Sequence, residues 1–395
     1  MKVRPVGIGL QAPQGSSFQS DHPSWLGRPL ADAQERALLL AGVRPEADDP
    51  QRERVVFDQG TAFNAAAIEG LLALGRERNT AIQVVMPGQF GGLIEEASGG
   101  VQPFLAAYLP GDGRPASREL VIAAEKVVFD LPERSLDVPV PVDAFGAEFV
   151  SIPLSDAFFF PTGHWVQGLW ANLLGLSPYL WRELAGYAWP TVIWRMFWAV
   201  LRARSLRPER VLTGLRRIGK GCTIHRNATV QGSWIGRNVQ IGAGAVVQGS
   251  VVGDGAVIEP GAHVEYSVLG PGVRLEGRAR VAFSVLDRDS YCAGDILMSF
   301  LAPSARVDAG VVLRDIGAEE EMSVQRDEDA CRPPLDRLGV GIGERSRVRA
   351  GCRIASGVMI PTGCDITSPE AARLRRALDV GEGRFVISEG GLVPR

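Results

Sequence analysis

Lysine is almost missing from this chain: of its 42 basic residues only Lys2, Lys126 and Lys220 are lysines, and the rest are arginines. Acidic residues number 45, so the net charge is −3 and the basic excess of a nucleic-acid-binding surface is absent. Cysteine is scarce too. Cys222, Cys292, Cys331, Cys352 and Cys364 are odd in number, form no CxxC pair and all lie in the second half. That pattern argues against a disulfide framework or a cysteine zinc site and points to reduced thiols in the cytoplasm. The opening residues hold no apolar core suited to a secretory signal. No run approaches the roughly 18 apolar residues that a membrane-spanning helix needs. What remains is an ordinary globular balance, 46% hydrophobic over 395 residues, which is enough for two domains.

A repeat occupies the second half. From Ile218 an aliphatic residue returns at Ile224, Val230, Ile235, Ile241, Val247, Val252, Ile258, Val264, Leu269, Leu275, Val281 and Leu286, in steps of 6, 6 and 5. Two further series share the resulting 17-residue period: Gly219, Gly236, Gly253 and Gly270, and Ser233, Ser250, Ser267 and Ser284. Neither helix periodicity nor strand alternation gives such steps. A three-sided solenoid does, with one inward aliphatic per face and glycine at corners whose backbone is costly for other residues. We therefore expect a left-handed parallel β-helix of hexapeptide repeats over 218–366. The pattern weakens after Leu286, although Leu301, Val307 and Leu313 fit one more coil. A charged, proline-bearing insertion at 315–338 reads as a loop, and the repeat resumes at Ile342, Val348, Ile354 and Ile360. Ser368-Pro369-Glu370 reads as the start of a short helix to about Val380, closing the solenoid within a tail of residues 367–395.

Residues 1–156 read as an α/β domain. Strands over Val3–Leu10, Arg54–Asp58 and Ala81–Pro87 alternate with helices at 31–42 and 63–75, which implies a mainly parallel sheet. Gly27-Arg28-Pro29-Leu30 before a helix ending at Gly42-Val43, Asp58 ahead of Phe63, and the corners Ser250-Val251-Val252-Gly253 and Ser267-Val268-Leu269-Gly270 together resemble the sugar-phosphate nucleotidyltransferases. Some of that family carry a β-helix acyltransferase half. The resemblance implies a nucleotide sugar or sugar phosphate as ligand, Mg2+ with the nucleotide, and Asp58 as metal ligand. The family's phosphate loop, "GxGTR…PK", is not matched: GIGLQAPQGSSF holds no basic residue, and His22-Pro23 stands near the expected Lys-Pro. Transfer from a triphosphate needs cations against the developing charge, so the chain is expected to bind with weak or no turnover.

Between the two, residues 157–217 hold six of the eight tryptophans and end in seven arginines against one acid, Glu209. An aromatic, basic helix suits a membrane interface; packing between domains or subunits is the reading preferred here. The four histidines are His22, His164, His225 and His263. Hexapeptide acyltransferases place a histidine base on an outer face near acyl-CoA, and His263, just before the inward Val264 and beside Glu265, is the candidate. His225 reads as structural. With the phosphate loop unmatched, Asp58 reads as an ordinary strand-end residue before it reads as a metal ligand, and Gly7 and Gly9 complete no dinucleotide motif. Three functions stay open: a nucleotidyltransferase-like binder, an acyltransferase using acyl-CoA, and a scaffold. A homotrimer is expected, since flat repetitive faces close around a threefold axis.

Overall fold

Strands of two or three residues, each hydrogen-bonded to its equivalent one coil away, build the repeat of the second half. The computed structural model describes residues 5–10, 24–85, 105–128, 135–139, 149–153, 157–185, 194, 197–198, 201, 217–313, 324–326, 329–331, 338–368, 373–374, 382–388 and 391–394. The chain divides into two compact units, Met1–Gln14 with Pro29–Gly163, and Gly15–Arg28 with His164–Arg395.

In the first unit the sheet runs Arg44–Pro45, Val6–Leu10, Arg54–Asp58, Ala106–Leu109, Ile82–Val85, Glu125–Val128. Five of its six strands point the same way and one is reversed, so the sheet is mainly parallel with one antiparallel strand inside it. Ala106–Leu109 lies antiparallel to both its neighbours, while Val6–Leu10 is parallel to the strands on either side of it. The helix Leu30–Leu40 is followed by Gly42 at φ 77°. The helix Ala65–Arg78 is fixed at both ends by asparagine. The Asn64 side chain accepts the Ala67 N–H at 3.0 Å, and Asn79 stops the helix in the left-handed region at φ 51°. Its apolar face, Ile68, Leu71 and Leu72, packs with Val55, Phe57, Ile82 and Tyr108 of the sheet. Arg54 is fully buried, and its guanidinium meets Asp112 at 3.0 Å, Asp48 at 3.4 Å and the Pro110 carbonyl at 2.9 Å.

The second unit contains a parallel β-solenoid whose three faces carry eight, nine and eight parallel strands among the described residues. It is about eight coils long and fits the left-handed β-helix read from the sequence. The expected inward residues stack in register. Ile218, Ile235, Val252, Leu269 and Leu286 share the first face. Ile224, Ile241, Ile258 and Leu275 share the second, and Val230, Val247, Val264 and Val281 the third. Leu301, Val307 and Leu313 do line a further coil, and Ile342, Val348 and Ile360 continue it beyond the insertion. Within the insertion, Val324–Arg326 and Asp329–Cys331 form an antiparallel hairpin.

Two expectations about the solenoid change. Gly219, Gly236, Gly253 and Gly270 are not in the left-handed region; they are glycine because the next coil passes too close. A Cβ at Gly253 would stand 2.5 Å from the Pro271 nitrogen. The left-handed corners are other positions, such as Gly244 at φ 68°. The helix expected from Ser368 to Val380 is contradicted at Arg373–Leu374, a strand of the third face paired with Arg353–Ile354. The rest of that stretch, 369–372 and 375–380, lies outside the described residues. Gly383–Ser388 extends the second face and turns back as Gly391–Pro394, so a hairpin covers the strand edge there.

The tryptophan-rich segment contributes to this unit. The helix Trp165–Ala185 buries Trp165 completely, with its ring against Gly341, and lets Phe300 approach at Gly168. Trp25 lies over Gly175 and donates its indole N–H to the Ala171 carbonyl at 2.9 Å, and Asn172 accepts the Leu26 N–H at 2.6 Å. No described helix is long and apolar enough to cross a membrane.

Candidate functional site

The strand His263–Glu265 lies on the third face. Alternation turns Val264 fully inward and puts His263 and Glu265 on the outer side. His263 is exposed. Register sets it between Val246 of the preceding coil and Arg280 of the next, and sets Glu265 between Gln248 and Ala282. Arg280 reaches the Glu265 carboxylate at 3.9 Å. At the adjoining corner Gln248 donates from Nε2 to the Tyr266 hydroxyl at 3.1 Å, and the Tyr266 ring stacks on Phe283 at 5.1 Å. Burial pushes the Tyr266 phenol up; the Gln248 hydrogen bond opposes this, and the Glu265 charge adds to it. A solvent-facing imidazole thus shares one patch with a carboxylate, a guanidinium, an amide and a stacked aromatic pair.

Two of the other histidines, His225 and His164, make hydrogen bonds to nearby residues. The His225 Nδ1 accepts the Asn227 N–H at 3.2 Å. His164 is buried at the start of the helix Trp165–Ala185; its Nδ1 accepts the Val166 N–H at 3.3 Å, and its backbone N–H donates to the Gln167 side-chain oxygen at 3.1 Å. His22 and the run Glu319–Glu321 lie outside the described residues, as does most of the unmatched phosphate loop.

Asp58 ends its strand buried, with Oδ1 accepting the Gly60 N–H at 2.8 Å. Burial raises its pKa, against that hydrogen bond and the Arg118 charge. Among the described residues no three His, Cys, Asp or Glu side chains gather as a metal-binding group. Gly7 and Gly9 are packing glycines: a Cβ at Gly7 would meet Leu38 at 2.9 Å, and one at Gly9 would meet Gln59 at 3.1 Å.

One buried acid escaped the sequence reading. Asp287 follows Leu286 as Gly270 follows Leu269, so it occupies the glycine position of its coil. Its carboxylate accepts the Ser24 hydroxyl at 2.7 Å and the Arg288 N–H at 2.6 Å. Burial is the main cause that pushes its pKa up, Glu344 acts the same way, and the two donors and the Arg288 charge act against it. The substitution in the glycine series was the available signal.

Residues 232–266 match the family model described as bacterial transferase hexapeptide (six repeats), a segment that includes His263. No curated protein sequence matches the chain. Among solved structures, the chain is similar to a hexapeptide transferase family protein from Anaplasma phagocytophilum, at 12% identity and a TM-score of 0.19, covering 45% of this chain and 81% of that one. The polysialic acid O-acetyltransferase OatWY gives 13% and 0.19, with 45% and 86% covered. The UDP-N-acetylglucosamine acyltransferase of Francisella novicida gives 13% and 0.19, with 46% and 70% covered. Likenesses this weak carry no functional argument.

Proposed function

We propose that the solenoid unit is an acyltransferase, moving an acyl group from a coenzyme A thioester to a hydroxyl or amine acceptor with His263 as general base. The observation that carries this is that the hexapeptide-transferase match spans the strand on which an exposed imidazole faces out of the solenoid. In the reaction, His263 takes the proton of the acceptor as its oxygen or nitrogen bonds to the thioester carbonyl carbon. The C–S bond then breaks, and the coenzyme A thiolate leaves and recovers a proton. Arg280, one coil on, supplies positive charge suited to the donor's phosphates. A second copy of the chain completes the donor site, as in the acyltransferases the repeat resembles.

The test is thiol release from acetyl-CoA with a panel of hydroxyl and amine acceptors. His263→Ala should lower kcat by roughly 10²- to 10⁴-fold with an unchanged melting temperature. Equal rates for variant and wild type would remove the histidine from the chemistry, and no acetyl-CoA binding in calorimetry would remove the reading.

A second reading attaches to the first unit, because Asp58 stands at the carboxyl end of a strand in parallel register with Val6–Leu10, where open α/β sheets take ligands. It is a binding site for a nucleotide sugar or sugar phosphate with little turnover. UTP or dTTP should raise the melting temperature of the wild type but not of Asp58→Ala. Robust pyrophosphate release lost in that variant would mean the unit is an active nucleotidyltransferase.

A further inference from the structure

Trp194, Phe197, Trp198 and Leu201 are helical, and their spacing of three, four and seven residues puts them on one helix face. That face is uncovered in this chain: the four side chains are 61%, 52%, 42% and 49% exposed. Trp194 stacks on Phe197 at 6.1 Å and meets Trp198 edge to face at 5.8 Å. Three large aromatics on one exposed face form an apolar patch of the kind that marks an interaction surface. Trp165, by contrast, is fully buried against the solenoid, so the tryptophan-rich segment holds both packed and exposed tryptophans.

Charge selects the occupant. From residue 195 to 217 the sequence has seven arginines and one acid, within a chain whose net charge is −3. Arg217 is committed to the Trp234 ring, 5.1 Å from its centroid. The other six, at 195, 202, 204, 207, 210 and 216, lie in sequence beside or just after the aromatic face. A second copy meeting this face about a twofold axis would bring two such clusters together, and like charges oppose that contact. A lipid surface reverses the sign. Its phosphates match guanidinium forks, and its headgroup region accepts indole rings with one apolar and one polar edge. A helix with such faces lies in the plane of the interface and does not cross it.

We propose that this aromatic face, with the arginines that follow it, docks the protein on an anionic membrane surface. The proposal is independent of either catalytic reading. It is tested by floating the full chain with vesicles of phosphatidylcholine alone and vesicles containing about one third phosphatidylglycerol. The chain is expected to float with the anionic vesicles at about 0.1 M salt and to be released at about 0.5 M. A blue shift in tryptophan emission should accompany binding. Trp194→Ala with Trp198→Ala should weaken binding at least tenfold at an unchanged melting temperature. Arg202→Glu with Arg204→Glu, which leaves every ring in place, should weaken it by roughly fivefold or more per residue. Any of four results overturns the proposal: no flotation with anionic vesicles, equal flotation with neutral ones, binding untouched by both double variants, or a wild-type dimer that the tryptophan variant abolishes.

Discussion

Ser250 and Ser267 are joined across one coil: the Ser250 hydroxyl accepts the Ser267 N–H at 3.0 Å while donating to the Gln248 carbonyl at 2.7 Å. The same pair of bonds recurs at Ser233, Ser267, Ser284 and Ser299, all buried, so the corner has a ladder of hydroxyls that satisfies backbone groups where the coil bends. Ser267→Ala would leave the Ser284 N–H and the Glu265 carbonyl without this partner in a dry corner. Such a loss costs about 1–3 kcal/mol. Urea unfolding should show a lower midpoint with an unchanged slope; an unaltered midpoint would mean that another donor or a water replaces the hydroxyl.

Gln240 and Ile241 are chain neighbours on one short strand, the first exposed and the second 2% exposed between Ile224 and Ile258. Aspartate should therefore be tolerated at 240 and not at 241. Gln240→Asp is expected to change stability by about 0.5 kcal/mol or less. Ile241→Asp would bury a carboxylate without a partner and should abolish the cooperative melting transition. Similar melting of the two variants would place the register one residue out.

How far the solenoid could be read depended on coil length. Successive 17-residue coils bring identical residue types into register, so Ile218, Ile235 and Val252 announce themselves by spacing. The next coil is shorter: Leu286 pairs with Leu301, cysteine takes the inward place at Cys292, and Ile296 follows after four residues. A pattern search tuned to 6, 6, 5 fades there although stacking continues. The serines were legible as a period but not as a hydroxyl ladder, because their partners are backbone atoms that leave no mark in the sequence. Asp58 and His263 were legible as types at strand positions. Whether ligands gather around them depends on the spacing of separate loops, which residue types do not encode. The same limit hid Asp287, whose partner Ser24 is 263 residues away in the chain.

The proposed donor site needs a second copy, and the expected assembly is a trimer. The outer surfaces of a parallel solenoid repeat at the coil spacing, so a patch complementary to a neighbouring copy recurs along the whole face. Closure about a threefold axis satisfies every such patch and stops growth. Sedimentation at micromolar concentration should give a single species at three times the 42.4 kDa chain mass. A monomer would remove both the trimer and the shared acyl-donor site, whereas a dimer would keep a shared site and change its symmetry.

Asp287 makes the solenoid's stability depend on pH in a direction opposite to that of the exposed ion pairs. Its pKa is raised in the folded chain, mainly by burial, above an unfolded value near 4. The folded state therefore holds a proton that the unfolded state has released. From about pH 4 up to the raised value, stability falls as pH rises, and above that value the whole cost of the buried charge is present. Asp254 and Asp365 lie the other way, lowered by hydrogen bonds to Arg237 and Arg349, and the stability they add is lost as pH drops through their folded values. Both are solvent-accessible pairs of small weight. Asp287→Asn keeps the shape and one acceptor for Ser24 while removing the charge. It should raise the melting temperature at pH 7 and bring the variant and wild-type curves together as the pH approaches 4. If the variant melts lower than wild type at pH 7, the Ser24 and Arg288 contacts to the ionised carboxylate outweigh the cost of burying it.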